Sequence, residues 1–134
     1  KGATADSEAR FNSKGAGTCR LKKALARRVD EGGEVANIAD EGGSIGRRQE
    51  FGTPSYAIGK AEQNMATSLL AQALSTRHVT VVALHPGWVR TDMGGQNAAL
   101  SVEESAAGLL HVIDRLTPDD SGSFLDWQGQ SLPW

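Results

Sequence analysis

The order of helical and strand-like patterns along this 134-residue chain specifies an α/β fold with a parallel sheet. Helix-period segments alternate with short apolar runs in the order helix, strand, helix, strand, helix, strand. The run ending at His85 holds Val79, Val81, Val82 and Leu84 and is nearly continuously apolar, as suits a strand covered on both faces. Helix-start chemistry stands before the second and third helical segments, at Thr53-Pro54 and at Ser101-Val102-Glu103-Glu104.

Residues 7–30 form the first helical pattern, with Leu21, Leu25 and Val29 recurring four apart. Gly15 and Gly17 weaken it, each by roughly 1 kcal/mol relative to Ala, and Glu31-Gly32-Gly33 stops it. Val35–Ala39 is a short strand of the buried type, and Asp40–Gly52 a polar, glycine-rich loop. The second helix starts with Thr53 as N-cap and Pro54 at the first helical position, and runs to about Ser75. Val79–His85 is the second strand, ended by Pro86-Gly87. Asp92–Ala99 is expected to be flexible. The capping box Ser101/Glu104 opens a helix through Leu109, Leu110, Val112 and Ile113 that stops before Pro118. Ser123–Asp126 closes the sheet as a third parallel strand.

Composition narrows the functional classes. A net charge of −2 carries no nucleic-acid footprint. No apolar run reaches the roughly 18 residues of a membrane-spanning helix, and the first residues have no apolar signal region, so a cytoplasmic setting is expected. Cys19 is the single cysteine, and His78, His85 and His111 are scattered without metal-ligand spacing, so no metal site is expected. The chain has no initiating Met. It reads as one domain at most.

The chemistry-bearing motif is Tyr56-x-x-x-Lys60. Positions four apart lie on one helix face, so the phenol and the ammonium can meet. A neighbouring cation favours phenolate, and the spacing therefore predicts a Tyr56 pKa below its ordinary value near 10. This suits proton transfer to or from a carbonyl or alcohol oxygen.

Together with Asn12-x-x-Gly15, Val35-Ala-Asn-Ile38, Val81-Val-Ala-Leu-His-Pro-Gly-Trp-Val-Arg-Thr-Asp-Met93, Asp119-Asp-Ser-Gly-Ser-Phe-Leu-Asp126 and Leu132-Pro-Trp134, this motif resembles the C-terminal half of a classical short-chain dehydrogenase/reductase of the C-factor-like or carbonyl-reductase-like group. The resemblance implies a partial Rossmann-like, doubly wound sheet of about three strands, NAD or NADP as cofactor, and hydride transfer between nicotinamide and a small carbonyl or alcohol substrate. Carried over residue by residue, it implies that Tyr56 is the proton donor or acceptor and that Lys60 holds the nicotinamide ribose. Asn12 helps position a relay water, Pro86, Gly87 and Thr91 flank the nicotinamide, and Trp88 and Met93 border the substrate pocket. It also implies a homo-oligomer built on the helix that holds Tyr56.

Two departures from the family pattern stand out. The glycine-rich turn Gly-x-x-x-Gly-x-Gly, which cradles a pyrophosphate at a helix N-terminus, has no counterpart, so residues 1–134 read as a single partial dinucleotide-binding domain without the glycine-rich half. The family's substrate-binding serine maps to Asp40 at the pocket, where an ionised carboxylate has no hydrogen to donate. Ser44 is the residue expected to substitute for it. Two functions follow: a short-chain oxidoreductase, or a catalytically incompetent paralogue that serves in self-association.

Overall fold

A computed structural model of the chain describes Gly17, Arg20, Ala24 and residues 27–134. Those three early residues are helical, within the first predicted helix. Asn12 and Cys19 lie outside the described residues.

Three parallel strands form one sheet in the order β1-β2-β3, with β1 at Glu34–Ile38, β2 at Thr80–His85 and β3 at Phe124–Asp126. The register sets Val35 against Val81, Ile38 against Leu84 and Leu84 against Leu125. Each strand lies within a residue of its predicted bounds. Helix α1 (Pro54–Leu74) connects β1 to β2, and helix α2 (Val102–Asp114) precedes β3.

β2 is central because its sequence tolerates burial on both faces. Val81, Val82, Ala83 and Leu84 have no exposed surface. Successive strand residues point to opposite faces, and the packing follows that alternation. Val81 joins Leu70, Ala71 and Leu74 of α1 on one face. Val82 and Leu84 join Val112 of α2 and Leu125 on the other. Ala83 belongs to a third cluster with Ala39, Phe124 and Leu132, backed by Trp134. Helices thus cover both faces, as the doubly wound expectation requires.

The two helix starts differ. At α2 the Ser101 hydroxyl accepts from Glu104 N–H at 3.1 Å and the Glu104 carboxylate accepts from Ser101 N–H at 2.9 Å, the predicted reciprocal box. At α1, Thr53 occupies the N-cap position in a left-handed conformation (φ 42°) and its side chain makes no capping bond. Pro54 at the first helical position leaves one fewer backbone donor to satisfy there. The segment expected to be flexible is fastened instead. Val89 bridges Leu100, the Arg90 guanidinium donates to the carbonyls of Ala98 and Ala99 at 3.2 Å, and Ala98 is buried. Among the described residues no helix is long and apolar enough to cross a membrane.

Leu84→Ala removes a side chain buried between β2, α2 and β3, and is expected to cost ~2–5 kcal/mol. Urea unfolding should show this as a lower midpoint at unchanged slope.

Candidate active site

Parallel pairing brings the C-terminal ends of β1 and β2 to one edge of the sheet, the edge at which open α/β folds bind ligands. Ala39 N–H donates to Leu84 carbonyl at 2.8 Å, so the ladder continues one residue past β1 and delivers Asp40 to that edge. His85 ends β2, and Pro86-Gly87 turns away from it. The first turns of α1 bring Tyr56 and Lys60 to the same place.

Asp40 and Tyr56 meet directly. The Tyr56 hydroxyl donates to Asp40 Oδ2 at 2.7 Å, while Asp40 Oδ1 accepts from Gly42 N–H at 2.6 Å and caps the short 3-10 turn Glu41–Gly43. The Lys60 ammonium stands over the Tyr56 ring, 5.6 Å from its centroid. This close approach of turn to helix requires Gly43, because a Cβ there would lie 2.7–2.8 Å from the Lys60 backbone and Cβ.

These positions reverse the pKa expected from the motif. Burial, the hydrogen bond to Asp40 and the Asp40 charge, in that order, push Tyr56 up from 10.0 to about 12. Lys60 lies against the π face, whereas Asp40 touches the hydroxyl oxygen, and at short range the nearer charge dominates. Phenolate is therefore disfavoured at neutral pH.

Ser44, expected to substitute for the family's serine, has its hydroxyl bonded to the backbone. It is 2% exposed, and its hydroxyl donates to the Pro133 carbonyl at 2.5 Å while accepting from Arg47 N–H at 3.2 Å. With Gly46 N–H donating to Trp134 carbonyl at 2.9 Å, these bonds tie the Asp40 loop to residues 133–134.

Pro86, Gly87, Thr91, Trp88 and Met93 line one open cleft of about 610 Å³ together with Asp40 and Tyr56. Gly87 has φ +84°, and a Cβ there would meet Leu100 and Trp127 at 2.9 Å. Thr91 Oγ1 accepts from Gly94 N–H at 3.0 Å, and Trp88 Nε1 donates to Gly94 carbonyl at 2.8 Å. Lys60 is not on the cleft wall but behind Tyr56. His85 lies close by, with Nε2 3.9 Å from Glu41 Oε2 and a buried Nδ1 that has no hydrogen-bond partner. Among the described residues there is no cluster of potential metal ligands.

The far wall went unrecognised in the sequence. Val102, Ser105, Ala106 and Leu109 of α2 face the cleft, and the Ser105 hydroxyl donates to Pro86 carbonyl at 2.6 Å. Their spacing is that of one helix face, which was the available signal. Gly108 admits Trp127 beside them, since a Cβ there would lie 2.6 Å from the indole.

A doubly wound half-sheet with a tyrosine and a lysine at its C-terminal edge defines a class of nucleotide-linked carbonyl chemistry, and comparison with known proteins agrees. The family model for short chain dehydrogenases matches residues 3–100. The chain is 37% identical over 132 residues to the C-signal of Myxococcus xanthus, covering 97% of this chain and 80% of that protein. It is 37% identical over 122 residues to the 1-hydroxy-2-glutathionyl-2-methyl-3-butene dehydrogenase of Rhodococcus sp. strain AD45, covering 88% of this chain and 54% of that one. Among solved structures, a carbonyl reductase from Pseudomonas aeruginosa PAO1 superposes with a TM-score of 0.76 at 35% identity, over 92% of this chain and 54% of that one. An NADPH-bound carbonyl reductase from chicken fatty liver superposes at 0.69 with 38% identity, over 75% of this chain and 42% of that one. The chain belongs to the short-chain dehydrogenase/reductase family of oxidoreductases and is carbonyl-reductase-like. It spans about half the length of these relatives, the C-signal apart.

The Tyr56 shift predicts a pH dependence of stability. The folded pKa of about 12 lies above the ordinary 10.0, so the unfolded chain loses the proton first. The stabilisation is complete below pH 10 and is lost as pH rises through 12. Denaturant unfolding should therefore show a steeper loss across this window for the wild type than for Tyr56→Phe.

Proposed function

We propose that the chain carries the proton-transfer and substrate-binding part of a nicotinamide-dependent oxidoreductase acting on a carbonyl or alcohol. The observation that carries this reading is the convergence of Tyr56, Pro86, Gly87 and Thr91 on one cleft, with Lys60 directly behind the phenol. NADP- and NADPH-bound carbonyl reductases among the similar structures support a nicotinamide cofactor.

The residues present fit the nicotinamide end of such a cofactor. The Thr91 hydroxyl keeps its hydrogen to donate, and the Lys60 ammonium has only an aromatic ring as partner among the described residues. Lys60 would hold ribose hydroxyls once its side chain swings from the Tyr56 ring to the cleft, and Pro86, Gly87 and Thr91 would flank the nicotinamide ring. The pyrophosphate end has no glycine-rich turn in these 134 residues. When bound, the cofactor supplies or takes the hydride at the substrate carbon.

Tyr56 handles the proton. It is neutral at pH 7 and so has a proton to give to a carbonyl oxygen, but that proton is directed to Asp40 Oδ2. Delivery requires the hydroxyl to turn from Asp40 toward the substrate. In the reverse direction the raised pKa makes Tyr56 a poor base until its proton is transferred. Asp40 thus slows both directions, which favours a second reading in which this chain turns over little.

For that second reading, α1 exposes Ile58, Met65 and Leu69, each more than half exposed. Their spacing places them along one stripe of the helix. We propose self-association through this stripe. Light scattering should find a dimer or larger assembly, and Met65→Lys with Leu69→Lys should shift it toward monomer.

Fusion of the chain to the glycine-rich half of a relative provides the catalytic test, read as NADPH oxidation with an aromatic aldehyde. Tyr56→Phe should abolish most turnover. Asp40→Ser should raise it, on the scale of one transition-state donor, ~10²–10³. Activity that persists in Tyr56→Phe would remove Tyr56 from the role assigned to it.

A further inference from the structure

We infer that the cleft beside Tyr56 takes an amphiphilic organic cation, a protonated amine on an apolar body, with Asp40 as its counter-ion. The inference rests on the oxidoreductase reading for the cleft being a substrate site, and on the hydrogen-bond inventory of the cleft for the chemical class.

The inventory is one-sided. A carboxylate has about four lone-pair sites and no hydrogen. Asp40 uses one site on Gly42 N–H and one on the Tyr56 hydroxyl, which leaves two for a ligand. Tyr56 has directed its only hydroxyl hydrogen at Asp40, so toward the cleft it presents oxygen lone pairs. The two polar groups at the reacting end are therefore both acceptors. The Ser105 hydroxyl and the Trp88 indole, which might otherwise donate, are already bonded to Pro86 and Gly94 carbonyls. Thr91 keeps a hydroxyl hydrogen at the other side of the cleft.

A ketone or aldehyde oxygen placed against Asp40 and Tyr56 would meet two acceptors and lose its hydration without compensation. A ligand N–H or O–H finds both. Charge separates these two donors. Among the described residues Asp40 is the only charged side chain lining the cleft, and the Lys60 ammonium stands over the Tyr56 ring instead of on the wall. An ammonium therefore gains a charge-assisted bond that an alcohol does not. The remaining walls suit an apolar body. Trp88, Met93, Val102 and Leu109 line the same cleft as the carboxylate, and an aromatic wall attracts cations besides burying carbon.

The test uses the 134-residue chain, no cofactor, and three probes of equal carbon number: hexylammonium, 1-hexanol and 2-hexanone. Binding is followed by ligand-observed NMR and calorimetry at pH 7 and fixed ionic strength. Hexylammonium should bind about fivefold or more tightly than 1-hexanol, the scale of one partly solvated charge pair. 2-Hexanone should be the weakest of the three. Asp40→Asn should abolish the ammonium preference, and Asp40→Ser should raise the affinity for 2-hexanone. Met93→Ala, at an exposed position, should weaken all three probes alike and locates the binding even if the Asp40 variants do not fold. Equal affinities, no saturable ammonium binding, or a preference that survives Asp40→Asn would each overturn the assignment. None of these outcomes bears on turnover by the fused enzyme, so the two readings fail separately.

Discussion

Burial of β2 on both faces is the constraint from which the site follows. A strand with no exposed surface from Val81 to Leu84 suits parallel neighbours with helices above and below, and both its neighbours pair in parallel. Parallel pairing then sends the ends of β1 and β2 to one edge. Asp40 and Pro86-Gly87 become neighbours although far apart in the chain. Close approach is completed by small residues: Gly43 lets the Asp40 turn rest on α1 at Lys60, and Gly87 and Gly108 let Trp127 pack beneath the cleft wall.

Within that frame, one substitution in the family pattern changes the chemistry. In the role proposed for Tyr56, a serine beside it would share hydrogen bonds with substrate. Asp40 accepts the tyrosine's hydrogen instead, and the 2.7 Å contact outweighs a lysine 5.6 Å from the ring centre. The phenol is held neutral, with its hydroxyl hydrogen directed at Asp40. The same carboxylate gives the cleft a negative charge and an acceptor face, so the slowed carbonyl reduction and the ammonium recognition proposed above would be two consequences of one residue.

Much of the fold was legible because it depends on local signals. The valine run at β2, the Ser101/Glu104 box and the stop before Pro118 each reflect side-chain chemistry within a few residues. Thr53 shows the limit: its residue type fits a cap, but Pro54 and the left-handed backbone leave its side chain without the bond. The segment 92–99 looked free because its anchors are carbonyls accepting from Arg90 and Trp88, which residue types alone do not reveal. The family resemblance grouped Tyr56, Pro86, Gly87, Thr91, Trp88 and Met93, and the structure lines one cleft with them. The fate of Ser44 was not legible, because its partner Pro133 lies at the opposite end of the described chain. The direction of the Tyr56 shift was likewise hidden, since spacing places Lys60 on the right face but does not say whether it meets the hydroxyl or the ring.

The central claim is that burial and Asp40, not Lys60, set the ionisation of the phenol, and a direct titration tests it. Tyr56 is the chain's only tyrosine, so the alkaline absorbance change near 295 nm reports it without deconvolution. The wild type should ionise at about 12, and Asp40→Asn should ionise at a lower pH. Ionisation of the wild type below 10, unchanged in Asp40→Asn, would show that the lysine controls the phenol and would contradict the account.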